Sequence, residues 1–188
     1  MIRVTGLGVN LVRNGGAESG PASANATTPV AVPYWSRVGR LPLGNVVRYG
    51  YDGYPALNAP GPSARGHNLF FGGIYPLAGA MQTIGLQHFA QVIDTGKIRY
   101  AFSVYLGGWE SQADYAQAQL KFLPSGATHQ LGPITNIQRR NTTGLWLRLV
   151  MGYIPKGTRS AQITLLSTRF VGTSNDGYID NVSLILSR

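Results

Sequence analysis

The stretch "SNDGYIDNVSLIL", Ser174 to Leu186, decides how this chain is read. A turn-forming run leads into a β-prone segment whose even positions are Tyr178, Asp180, Val182, Leu184 and Leu186. Side chains alternate between the two faces of a strand. The even face is therefore predicted to be a core face with an acid, Asp180, at its mouth. A buried carboxylate is costly unless something pairs with it, so Asp180 is expected to have a partner. Asn175 and Asp176, in the preceding turn, read as turn-formers.

Working outward, other windows alternate in the same way. In "IRYAFSVYL" one face carries Ile98, Tyr100, Phe102, Val104 and Leu106. "AQAQLKFL" separates Ala116, Ala118, Leu120 and Phe122 from Gln117, Gln119 and Lys121. "LWLRLVMGY" places Leu145, Leu147, Leu149, Met151 and Tyr153 on one apolar side, and "SAQITLL" does so with Ala161, Ile163 and Leu165. Turn signals separate these runs at 124–127, 154–158 and 172–177. No long stripe of helical period appears, and the best helical candidate is the short segment 85–94. The reading is all-β, two antiparallel sheets packed face to face as a jelly-roll sandwich. The whole of 1–188 is expected to form one domain, with about nine N-terminal residues as an arm. Residues 19–66, rich in Ala, Pro, Gly and Tyr, are expected to be long loops with few strands.

The chain of 188 residues is 44% hydrophobic and only 12% charged, which excludes a disordered polymer. Its formal charge of +9 comes from 16 basic residues against 7 acids. Thirteen of the basic residues are Arg, scattered along the chain, with Arg139 and Arg140 the one adjacent Arg pair. No basic patch or nucleic-acid module is evident, so an acidic surface is preferred to nucleic acid as partner. There is no cysteine, hence no disulfide and no thiolate metal site. The N-terminus lacks the apolar run of a signal peptide, and no stretch approaches transmembrane length, so no membrane insertion is expected.

Several phrases, taken together, carry a family likeness: "NLVRNGGAESGP" (10–21), "VPYW" (32–35), "VVRYG" (46–50), "PGPSARGHNLFFGG" (60–73), the long run 100–123, and the closing "SNDGYIDNVSLIL". In this order they resemble the bacterial extracellular jelly-roll domains of the galactose-binding-like superfamily. Carbohydrate-binding modules of xylanases and the sugar-recognising F-box-associated domains belong to the same broad group. The resemblance implies that the first and last strands lie side by side. It also implies a structural Ca2+ held by the acid of the opening motif and the aspartate of the closing one, here Glu18 and Asp180, with backbone carbonyls as further ligands. Oxygen-only ligation is the calcium pattern. Ala17 departs from the family, where an aromatic residue is common. Without the metal, Asp180 would be satisfied by backbone N–H groups or an Arg.

Aromatic side chains in Gly- and Pro-rich segments offer flat apolar faces suited to a pyranose, with polar neighbours to read the hydroxyls. The candidate ligand-binding residues are Trp109, Glu110, Gln112, Tyr49, Tyr51 and Tyr54. Trp35 reads instead as a cap on the core. Arg65 and His67 are expected to tie their loop to itself, and Arg139 and Arg140 to sit in a solvated loop. Catalysis finds little support. His67, His88 and His129 lie in unrelated segments without metal-ligand spacing. No Gly-x-Ser-x-Gly elbow occurs. Glycoside hydrolysis needs two facing carboxylates, and outside Glu18 and Asp180 only Glu110 and Asp114 stand close in sequence.

Two functions follow as expectations. One is a non-catalytic virion surface protein, a capsid decoration or tail-associated component. It would contact other virion proteins or an acidic surface through its Arg excess, as a monomer or a homo-oligomer. The alternative is an extracellular bacterial glycan-binding module that takes polysaccharide through exposed aromatics. A virion protein that adheres to surface sugars would be both.

Overall fold

The structure, a computed structural model, describes residues 5–188. Ten strands form it: β1 (Ser36–Arg37), β2 (Asn45–Arg48), β3 (Asn68–Phe71), β4 (Leu77–Gly85), β5 (Arg99–Gly108), β6 (Tyr115–Leu123), β7 (Thr128–Leu131), β8 (Gly144–Tyr153), β9 (Ser160–Thr168) and β10 (Tyr178–Ser187). They build two five-stranded antiparallel sheets, ordered β2-β3-β10-β5-β8 and β1-β4-β9-β6-β7. This is the all-β jelly-roll sandwich expected from the alternation of the sequence. The segment 85–94 supplies one 3-10 turn, Gln87–Phe89, and one α-helical turn, Ala90–Ile93. Residues 19–66 contribute only β1 and β2.

The main core lies between the sheets and is filled by the faces read from the sequence. Tyr100, Phe102, Val104 and Leu106 meet Ala116, Ala118, Leu120, Phe122, Ala161, Ile163 and Leu165, all buried. Trp35 joins them, edge-on to Phe70 at 5.7 Å between ring centroids. Alternation decides these strands because one parity is apolar and the other polar.

A second, smaller core covers the opposite face of the first sheet, where the loops before β3 fold over it. Val47, Tyr49, Leu69, Phe71, Leu145 and Tyr178 are buried there. Leu69 and Phe71 are thus inward-facing, but toward this cluster, while Phe70 between them enters the main core.

Two parity readings fail, each for a physical reason. In β10 the register slips between Asp180 and Ser183: Ile179 pairs with Leu106 and Asp180 with Tyr105, but Leu184 pairs with Phe102. One extra residue is accommodated, with Asn181 at φ 46, so the strand carries a β-bulge. Tyr178 and Asp180 therefore face the second cluster, while Val182, Leu184 and Leu186 face the main core. Asp180 does not share a face with the leucines.

The other failure is β8. Leu147, Leu149, Met151 and Tyr153 are 47–69% exposed, and the opposite parity, Trp146 and Val150, packs on the core. β8 is an edge strand, and both of its faces are apolar in sequence, so alternation alone does not choose between them.

The two ends of the described chain meet. Gly8 N–H donates to Leu186 O at 2.8 Å, Leu11 N–H to Leu184 O at 2.9 Å, and Val182 N–H to Gly15 O at 2.9 Å. Asn10 bridges Ile185 in antiparallel fashion. Of the expected arm, residues 1–4 lie outside the described residues, and Gly8 onward is bonded to the last strand. Among the described residues no helix is long and apolar enough to cross a membrane.

Candidate functional site

At one end of the sandwich, the loops around residues 25–27, 52–54, 109–112 and 173–176 enclose a cavity of about 350 Å³. Its walls include Tyr54, Trp109, Gln112, Asp52, Asp176 and Tyr178. Three of the six expected ligand-binding residues, Tyr54, Trp109 and Gln112, are brought together here from loops far apart in sequence. Tyr51 stands behind them, stacked on Tyr54 at 6.3 Å between centroids. Tyr49 lies elsewhere, buried, with its hydroxyl on Asp180. Glu110 is exposed beside Trp109, at φ 37, and does not line the cavity.

The cavity is held open by two buried charges that the sequence reading did not place there. Arg139 is 1% exposed, not solvated as expected. Its guanidinium donates to the carbonyls of Ile134, Glu110 and Gln112 at 3.0, 3.0 and 3.1 Å, and so clamps the loop that carries Trp109. Burial pulls its pKa below the usual Arg value, which the nearby Tyr178, Asp114 and Asp176 counter. A Cβ on Gly108 would stand 2.9 Å from Arg139 Nη1, so a glycine is needed where the guanidinium crosses the strand end. The fully buried Asp114 accepts the N–H groups of Phe170, Val171 and Asp176 at 2.6, 3.0 and 3.1 Å. Arg139 thus holds the 110–112 loop and Asp114 the segment 170–176. Adjacent arginines look alike in a sequence, and only the course of the loop turns Arg139 in and Arg140 out.

Polar residues of the lining include Asp52, Asp176, Gln112 and Ser174. Asp176 is 7% exposed and accepts the Tyr178 hydroxyl at 2.9 Å. Burial pushes its carboxyl up to about 6; Asp114 adds to this, and the Tyr178 hydrogen bond works against it. Gln112 Oε1 is buried and has no hydrogen-bonding partner in the protein. Such an acceptor is unfavourable unless something else donates to it. Tyr54 completes the wall, its hydroxyl 3.1 Å from Ser174 Oγ and its ring edge-on to Phe71.

The second locale is at the meeting of the chain ends. Asp180 is fully buried; its Oδ2 accepts the Tyr49 hydroxyl and its Oδ1 the Asn181 N–H, both at 2.6 Å. Glu18 Oε1 accepts the N–H groups of His67 and Asn68 at 3.0 and 2.8 Å. Both acids flank Gly16: a Cβ there would lie 3.6 Å from Asp180 Oδ1, 3.8 Å from Glu18 Cγ and 3.2 Å from Asn181 Oδ1. Burial pushes the Asp180 carboxyl up to about 8, and the Glu18 charge adds to this. The donor set is oxygen throughout, which suits a hard cation such as Ca2+. Among the described residues no group of three or more His, Cys, Asp or Glu side chains gathers, so a cation here would draw its remaining ligands from carbonyls and water. Arg65 meanwhile ties its loop to itself, donating to Pro62 O and Ala59 O at 2.9 Å, with its guanidinium over the Tyr49 ring at 5.1 Å.

The fold is a jelly-roll sandwich of the kind also found in carbohydrate-binding modules. Among solved structures it is similar to a family 16 carbohydrate-binding module, at 17% identity and a TM-score of 0.57, covering 94% of this chain and 99% of that one. It is also similar to part of an arabinose-bound GH51 α-L-arabinofuranosidase (15% identity, TM-score 0.57), spanning 96% of this chain but 27% of the enzyme. A third likeness is to the enzymatically active domain of tailspike protein 4 of bacteriophage CBA120 (18% identity, TM-score 0.50), with 95% of this chain on 21% of that one. No protein-family profile matches the sequence, and no curated protein does.

Proposed function

We propose that this protein is a non-catalytic glycan-binding module, and that the loop-end cavity takes a neutral sugar. One observation carries the reading. Trp109, Tyr54, Gln112 and Asp176, brought from three separate loops, line a single cavity of about 350 Å³. The aromatic side chains offer apolar surface to a pyranose, and the polar residues Asp176 and Gln112 beside them suit its hydroxyls. Asp52 and Asp176 make the cavity locally acidic in a chain of net charge +9, which disfavours an anionic sugar there. The family 16 module, similar along nearly its whole length, supports the same class of ligand. Ca2+ held by Glu18 and Asp180 is proposed as a structural ion; it would neutralise two carboxylates where the chain ends meet.

The test is affinity electrophoresis against a panel of neutral polysaccharides. Trp109→Ala and Gln112→Ala should each weaken retention about tenfold or more, with no reducing ends released by the wild type. Retention of no polysaccharide in the panel, or retention indifferent to both substitutions, would falsify the reading.

A virion-surface setting is the second reading. The likeness to a tailspike domain and the excess of Arg over Lys support it, with acidic shell proteins as partners. Mass spectrometry of purified particles, with or without this polypeptide, decides it.

A further inference from the structure

A second groove, remote in sequence from the cavity just described, opposes it in charge. It occupies about 500 Å³ beside the end of β4 that β1 leaves uncovered, since β1 pairs with β4 only at Met81 and Ala80. Its walls include Arg13, Tyr34, His88, Thr83, Leu11 and Ile84, and no Asp or Glu lines it.

Tyr34 is the unusual residue. It is 56% exposed and held at φ 71, a left-handed conformation that is an outlier for a bulky side chain and tends to mark functional positions. The Arg13 guanidinium lies 5.6 Å from the centre of its ring. Both are fixed from beneath by a buried side chain. Gln82, 7% exposed, accepts the Arg13 N–H at 2.9 Å and donates to Arg13 O and Tyr34 O at 2.9 and 3.3 Å. Asn14, also in the left-handed region, donates to Pro33 O, and Trp35 Nε1 donates to Asn14 O. The loops of Arg13 and Tyr34 are thereby locked so that one exposed ring and one exposed cation stand together.

We propose that this groove is a separate binding site for an anionic pyranose, a sugar ring bearing a carboxylate or a sulfate ester, within an acidic polysaccharide. The ring of Tyr34 would meet the sugar face, and Arg13 would meet the anion in a charge-assisted hydrogen bond, with His88 on the facing wall. The inference shares only its ligand class with the reading of the loop-end cavity, and it stands or falls separately.

The experiment measures retention of the full chain by polygalacturonate, carrageenan, a neutral galactan and a single-stranded oligonucleotide. Arg13→Gln keeps the backbone bonds to Gln82, and Tyr34→Gly suits the observed φ. Both should melt near the wild type while losing about tenfold in affinity for polygalacturonate or carrageenan; whichever is retained identifies the anion. Arg140→Gln, an exposed arginine elsewhere, and Trp109→Ala should leave that affinity within about twofold. Loss of galactan binding alone in Trp109→Ala would assign the two ligands to two sites. The inference is overturned if Arg13→Gln and Tyr34→Gly bind acidic polysaccharide like the wild type. Equal loss in Arg140→Gln overturns it in favour of general charge attraction, and equal loss in Trp109→Ala in favour of the loop-end cavity. Tighter retention by the oligonucleotide than by either polysaccharide overturns the choice of sugar.

Discussion

Asp180 carries a fully buried carboxyl group with two short hydrogen bonds and a second acid, Glu18, nearby. Burial dominates and holds its pKa at about 8, against the ordinary 3.8. The sign follows from proton uptake. The folded chain keeps a proton on Asp180 that the unfolded chain has released, so metal-free stability is greatest at acid pH and falls as pH rises from about 4 toward 8. The slope is up to about 1.4 kcal/mol per pH unit. Asp176, at about 6, adds to the lower part of that window. The chelated protein should therefore melt higher at pH 5 than at pH 8, and Asp180→Asn should flatten the difference. A wild-type melting temperature independent of pH would contradict the assignment. At this scale the sequence was informative about chemistry and uninformative about place. Trp109 and Gln112 were recognisable as candidate residue types, whereas Arg139 read as part of a solvated loop and Asp114 only as an acid near Glu110. Only the backbone carbonyls and N–H groups that meet them give them their role.

Among the strands, legibility followed the contrast between parities. β6 reads Ala116, Ala118, Leu120, Phe122 against Gln117, Gln119, Lys121, and its apolar parity is buried as the pattern requires. β8 offers Leu147, Leu149 and Met151 on one parity, Trp146 and Val150 on the other, and the larger set faces water. Arg148 could face the interior side because its guanidinium reaches Pro133 O at 2.8 Å. The consequence is measurable by denaturant unfolding. Leu149→Lys should change stability by no more than about 0.5 kcal/mol, while Leu120→Ala, at a fully buried position, should cost about 2–5 kcal/mol. A large loss in Leu149→Lys would mean that this face is covered. In β10 the bulge at Asn181 reversed the parity of its first residues. A single-residue slip leaves the composition of a strand unchanged, so alternation cannot reveal it.

For the whole molecule, the meeting of the chain ends matters most. Residues 8–15 hydrogen-bond the last strand, and Glu18 and Asp180 flank Gly16 at that junction. A cation bound there stabilises only the folded chain, by an amount that grows with its concentration. Chelation at neutral pH should lower the melting temperature by several degrees, about 2–4 °C for each kcal/mol of binding free energy lost, and Glu18→Gln should abolish the difference. Equal melting with and without chelator would remove calcium from the account. The charge of +9 is likewise distributed by the fold, with acids at the loop-end cavity and Arg13 without acids at the Arg13–Tyr34 groove.

The amino-acid order by itself determined the all-β class and the core faces of β5, β6 and β9. Alternation and turn chemistry are local properties, and each is written within a few neighbouring residues. Only the tertiary structure decided that Tyr54, Trp109 and Gln112 share one cavity, that Asp180 turns away from the leucines beside it, and that Arg13 and Tyr34 stand together. Those outcomes depend on loop closure and on one extra residue in a strand. Both are settled by which distant backbone groups become available as partners, and no short window of sequence contains that information.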